Sequence, residues 1–135
     1  MAGYSGRTLV EKLGIKSGYR VLAINAPARY REMLQPLPHG VSFLSRPAKT
    51  VDLIHLFVSR RAEIAKQLPR QRRMMPDSGV LWVSWPKKAS GLPTDVTEDV
   101  VREVALPLGL VDTKVCAVDD VWSGLKLMVR RELRQ

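Results

Sequence analysis

Apolar residues along this chain fall into short blocks with two different spacings. Val21–Ile24, Val51–Val58 and Val80–Trp85 are nearly continuous apolar runs, the pattern of strands buried on both faces of a sheet. Val41–Leu44 is shorter and lies between His39-Gly40 and Arg46-Pro47, as suits a brief edge strand. Elsewhere the apolar positions recur at helical intervals. Thr8-Leu9-Val10-Glu11 fits a capping box and Gly14 a stop, which predicts a short helix over 9–13. Pro27 suits the first turn of a second helix, with Tyr30, Met33 and Leu34 behind it and Pro36 and Pro38 to end it. Ser59 is placed to cap a basic helix running toward Met75, with Ile64 and Leu68 inward. Pro69 would clash with the carbonyl of Ala65 and predicts a kink or break. Pro76–Gly79 is a turn, and Pro86–Gly91 is the exit loop of the strand before it. Thr97 caps the last helix, Glu98 and Asp99 complement its dipole, Val100, Val101, Val104 and Leu108 form its stripe, and Pro107 and Gly109 finish it. Two closing strands, about 113–118 and 125–130, are joined by Asp119–Gly124, which is too short for a crossover helix, so the pair is an antiparallel hairpin.

Strands alternating with helices imply a parallel sheet covered on both faces, with right-handed crossovers. The predicted fold class is α/β: a three-layer α/β/α domain over residues 1–135, with a mostly parallel, six-stranded Rossmann-like sheet ending in an antiparallel hairpin. There is no internal repeat, low-complexity tract or linker.

LGIKSGYRVLAIN resembles the lead-in and first strand of class I methyltransferases. VDLIHLF resembles their fourth strand, PDSGVLWVSW the turn and fifth strand, and GLVDTKVCAVDDVWSGLKLMVRR the closing hairpin. Against that family one strand–helix unit is missing after Leu44. At finer grain AGYSG, LWVSWPKKASG, TEDVVREVALPLGLVD and VWSGLKL resemble a family of small bacterial proteins of unknown function, over nearly the whole chain, with WPKKASG the most specific piece. That likeness implies the fold without an activity. The methyltransferase likeness implies a place for S-adenosylmethionine: an acidic residue and G-x-G-x-G after strand one, and a second acid after strand two. Asn25-Ala26-Pro27-Ala28-Arg29 and Leu44-Ser45-Arg46 stand in those places. Without glycines, side chains fill the space a cofactor needs, and Pro27 removes one N–H from the helix start. The expectation is a lost cofactor site, and no cofactor is assigned.

Composition changes the picture in one respect. The 135 residues are 45% hydrophobic, but Lys and Arg number 22 against 13 acids, a net charge of +9. Arg60, Arg61, Lys66, Arg70, Arg72 and Arg73 face a single acid, Glu63, in the 60–73 stretch. That run reads as a solvated helix face or as an anion-binding surface, and its lack of aromatics argues against a nucleic-acid module. No apolar run is long enough to span a membrane, the N-terminus shows no signal-peptide pattern, and a single cysteine excludes a disulfide framework. A cytoplasmic location is the expectation.

Ligands of open α/β sheets bind beyond the C-terminal ends of the strands. The expected rim comprises Asn25, Arg29, Arg60, Arg61, Lys87, Lys88, Ser90, Asp119, Asp120 and Trp122. Within it Lys87 and Lys88, with Ser90 and the amides near Gly91, suit a phosphate or carboxylate, or else form a solvated turn. His55 shares a strand face with Leu53 and Phe57 and reads as a core histidine rather than a general base. Cys116 reads as a buried, inert thiol, Asp52 lies at the wrong end of its strand for ligand chemistry, and His39 is an exposed turn residue. Asp119-Asp120 lacks further ligands for a metal, Trp122 shapes the hairpin loop, and Ser90 is not in a hydrolase elbow. The expected function is non-catalytic binding of a partner protein or an anionic small molecule at this rim. The alternatives are a methyltransferase-like enzyme with an atypical cofactor loop and a weak nucleic-acid binder acting through the 60–73 helix.

Overall fold

A computed structural model describes residues 7–134, so the AGYSG stretch at residues 2–6 lies outside the described residues. Helix α1 is Leu9–Leu13. The Thr8 hydroxyl accepts from the Glu11 N–H, the Glu11 carboxylate accepts from the Thr8 N–H, and Gly14 ends the helix at a φ of 78°. Strands β1 (Arg20–Ile24), β2 (Ser42–Phe43), β3 (Leu53–Phe57) and β4 (Val80–Pro86) run parallel, and β5 (Leu110–Ala117) and β6 (Trp122–Val129) close an antiparallel hairpin on β4. The order across the six-stranded sheet is β2-β1-β3-β4-β6-β5. The α/β class and the mostly parallel, six-stranded sheet with its closing antiparallel hairpin are those that the sequence pattern implies.

Alternation along the strands divides the core in two. On one face Leu22, Ile54, Leu56, Leu81 and Val83 pack against Ile64 and Leu68 of α3 (Arg61–Met74) and Val101 and Ala105 of α4 (Glu98–Ala105). On the other, Val21, Leu53, Phe57 and Trp82 pack against Val10 and Leu13 of α1 and Tyr30 of α2 (Tyr30–Met33). The Trp82 indole N–H donates to the Leu13 carbonyl at 3.0 Å and fixes α1 on that face.

Several boundaries differ from the sequence expectation. The second helix does not begin at Pro27. Residues 28–29 form a turn, the Tyr30 N–H donates to the Pro27 carbonyl at 3.0 Å, and α2 is a single turn. Strands β2 and β3 are each shorter than their apolar runs. The N-cap of α3 is Arg60 rather than Ser59. The Glu63 carboxylate reaches back and accepts from the N–H groups of both Ser59 and Arg60, so the expected cap donates instead. Nor does Pro69 break α3, which runs through it. Burial of Ile64, Leu68 and Gln71, with Met75 at the C-cap, holds one continuous stripe on the sheet and outweighs the lost Ala65 hydrogen bond. The hairpin strands begin earlier than expected, at Leu110 and Trp122. The Asp119 carboxylate accepts from the Val121 and Trp122 N–H groups at 2.8 Å each and tightens the connection to 118–121.

Between Phe43 and Leu53 there is neither helix nor strand. The α3 side of β1 therefore lacks a helix beyond α3, and Ile24 there remains half-exposed.

Candidate functional site

The turn after β1 is built by Asn25, whose φ of 58° makes it the one non-glycine residue at positive φ among the described residues. Asparagine tolerates this left-handed conformation, so the turn forms without glycine. Ala26, Pro27 and Ala28 then project side chains along the path from β1 to α2. Beside them is a cleft of about 290 Å³, bounded across from the turn by Phe43 and Leu44. No carboxylate lines it, and the Arg31 guanidinium sits 4.3 Å over the Phe43 ring at its edge.

The residues expected at the rim have different surroundings. Lys87 and Lys88 line a cleft of about 350 Å³ with Thr97 and Glu98 at the start of α4 and Ser123 at the start of β6. Neither lysine ammonium group makes an ion pair or hydrogen bond with the described residues. Ser90 serves its own loop: its hydroxyl donates to the Lys87 carbonyl at 2.6 Å and accepts from the Leu92 N–H at 3.1 Å. Glu98 is held by Arg102, which also bonds Asp99 and Asp112 and so ties α4 to β5. Arg61 is engaged by Glu103 of α4 at 2.8 Å and, through its N–H, by Asp95 at 2.7 Å. Arg29, Arg60 and Asp120 are exposed. Asp119 is committed to the hairpin turn, and Trp122 meets the Phe57 ring edge-on at 5.1 Å. Asn25 lies away from the lysines, in a third cleft described below.

His55 occupies the core position expected of it, but within a longer chain. Tyr30 Oη lies 2.7 Å from His55 Nδ1, and His55 Nε2 lies 2.7 Å from Ser84 Oγ. All three side chains are buried, and the His55 ring stacks on Phe57 at 4.2 Å. Burial holds the imidazole neutral, its pKa pushed down to about 3, and raises the Tyr30 phenol. With both ring nitrogens hydrogen-bonded, the chain joins α2, β3 and β4; His55 and Ser84 are fully buried, and Tyr30 borders the cleft beside the β1 turn. Asp52 likewise has a structural partner, accepting from the Arg20 N–H at 2.7 Å. Cys116 is half-buried on the hairpin rather than fully buried. Burial raises its thiol pKa, against the opposing pull of Lys12, Lys114 and Lys87. Among the described residues no three His, Cys, Asp or Glu side chains cluster as metal ligands, and no helix is long and apolar enough to cross a membrane.

The third cleft, about 330 Å³, is a feature the sequence reading missed. It runs down the α3 side of β1 from Asn25 to Leu22, with Ser45 and Arg46 on one wall and Gln67, Arg70 and Gln71 on the other. Gln71 is 2% exposed, and its Oε1 has no hydrogen-bond partner among the described residues. The signal was present in the chain: position 71 continues the inward stripe of Ile64 and Leu68, and a glutamine there is a polar residue at a core position.

No protein-family model matches the chain, and no curated protein matches it in sequence. Solved structures do match in shape. A candidate type 11 methyltransferase from Sulfolobus solfataricus superposes with a TM-score of 0.67 at 15% identity, covering 100% of this chain and 97% of that one. A SAM-dependent methyltransferase from Aquifex aeolicus gives 0.63 at 16% identity, covering 90% and 87%. The B. subtilis m1A22 tRNA methyltransferase TrmK gives 0.58 at 11% identity, covering 96% and 67%. At such identities the likeness speaks for backbone architecture alone, and that architecture is the Rossmann-like fold of the class I S-adenosylmethionine-dependent methyltransferases.

Proposed function

We propose that this chain is a non-catalytic binding module built on the methyltransferase-like fold. In this reading it does not hold S-adenosylmethionine, and it takes an anionic group, on a small molecule or a partner protein, at Lys87 and Lys88. The observation that carries the first half is the β1 turn. Asn25 supplies the left-handed residue, Ala26, Pro27 and Ala28 line the adjoining cleft with side chains where a glycine-rich loop would offer bare backbone, and α2 is a single turn with a weak dipole at its start. The adjoining cleft, at about 290 Å³, is at the lower limit for a cofactor-sized ligand and offers no carboxylate for ribose hydroxyls. The second half is supported by two ammonium groups without partners among the described residues, at the exit of a buried central strand, where α/β sheets bind their ligands.

The test is the response of stability to phosphate. A ligand at 100 times its Kd adds about 2.7 kcal/mol to the folded state. Phosphate is expected to raise the melting temperature of the wild type more than that of a Lys87→Ala/Lys88→Ala variant, a difference that chloride at equal ionic strength does not reproduce. Equal responses of the two proteins would remove the anion site.

A further inference from the structure

The cleft between β1 and α3 has the composition of a ligand site, and it does not depend on Lys87 and Lys88. Its floor is apolar, from Leu22 and Ile24. Two guanidinium groups, Arg46 and Arg70, line it from opposite walls, and neither makes an ion pair or hydrogen bond within the described residues. No acid among the described residues lines the cleft, so an anion placed there meets positive charge without competition from them. Beside the arginines is the buried amide of Gln71. Its Nε2 donates weakly to Gln67 Oε1, at 3.4 Å, and its Oε1 is orphaned. Reversing the amide exchanges the two atoms and leaves the other one orphaned, so a polar atom lacks a partner in either orientation. A buried polar group without a protein partner destabilises a fold unless an ordered water, an ion or a ligand satisfies it. The left-handed Asn25 at the top of the same cleft is a second local departure from ordinary backbone, of the kind that collects at binding sites.

We infer that this cleft binds a small anion whose body carries a hydrogen-bonding ring edge, the chemistry of a nucleoside monophosphate. Arg46 and Arg70 take the phosphate, bidentate geometry being available to each guanidinium. Leu22 and Ile24 receive the flat face of the ring. The Gln71 amide, with Gln67 behind it, pairs with an edge that offers a donor and an acceptor side by side, as glutamine does with adenine. The cleft volume of about 330 Å³ suits one such unit.

The experiment is calorimetric titration of the full chain with AMP, CMP, GMP and UMP, with adenosine and inorganic phosphate as partial ligands and a single-stranded oligonucleotide as the polymeric form of the same chemistry. At least one monophosphate is expected to bind saturably and at least ten times more tightly than either partial ligand. Arg46→Ala and Arg70→Ala, both exposed positions, are each expected to weaken it at least tenfold. Gln71→Leu separates a ligand site from a trapped water: it should leave the free protein as stable or more so, yet cost at least tenfold in binding. Lys87→Ala/Lys88→Ala should change nothing, so failure here and failure of the rim site are distinguishable. Absence of saturable monophosphate binding, binding matched by phosphate alone, or binding unaffected by Gln71→Leu would each overturn the inference. So would an oligonucleotide bound tightly where every monophosphate fails, since that points to the open basic face of α3.

Discussion

At the scale of single residues, the most consequential side chain is one without access to solvent. His55 reads in the sequence as a core residue, because alternation groups it with Leu53 and Phe57. Its partners were not legible there, since Tyr30 and Ser84 come from elements 25 and 29 residues away. Strand register brings them together: Phe57 lies opposite Ser84, and His55 opposite Trp82. Because the folded protein keeps this imidazole neutral down to about pH 3, while the unfolded chain protonates it near 6.5, the unfolded state binds the extra proton between those values. Stability must therefore fall as pH is lowered through that window, with a slope approaching about 1.4 kcal/mol per pH unit from this one group. Urea unfolding of the wild type and of His55→Gln at pH 7, 6 and 5 checks this. Carboxylate contributions are common to both proteins, so the wild type should lose more stability on acidification, and parallel curves would count against the buried neutral ring.

Among the elements, the sequence was informative wherever a local rule faced no rival. The Thr8–Glu11 box, the Thr97 cap and the continuous apolar strands appear where their residues place them. It misled where burial and local chemistry disagree. Pro69 should stop a helix, but the stripe of Ile64, Leu68 and Gln71 keeps α3 on the sheet through it. The converse holds at Pro27, which should start a helix but follows a left-handed Asn25 that swings the chain into a turn first. If α3 carries the cost of its proline, Pro69→Ala restores an N–H for the Ala65 carbonyl and should raise stability by about 1–3 kcal/mol, less a few tenths for the looser unfolded chain. The midpoint of urea unfolding reads it directly. A lower midpoint would mean that the ring packs where this account places only backbone strain.

For the molecule as a whole, alternating strands and helices were enough to identify a Rossmann-like α/β sheet with an antiparallel hairpin, and structures of methyltransferases share that architecture. The candidate sites were less legible. A rim drawn from strand ends treats every polar residue there as available, but hydrogen bonds commit Ser90, Asp119 and Arg61 to the scaffold, while Lys87 and Lys88 have no partner among the described residues. The cleft beside α3 depends on an absence, the missing helix between β2 and β3, and on a lone buried glutamine. Neither shows as a motif.

The proposed function requires that the methyltransferase-like fold offers S-adenosylmethionine no binding place. Titration calorimetry with S-adenosylmethionine and with its demethylated product, each carried to about 1 mM, tests it most directly, because even a Kd of 1 mM corresponds to about −4 kcal/mol of binding. The expected result is no saturable heat from either compound. Saturable one-to-one binding of either, lost when Ala26 or Ala28 is enlarged to Leu beside the β1 turn, would contradict it.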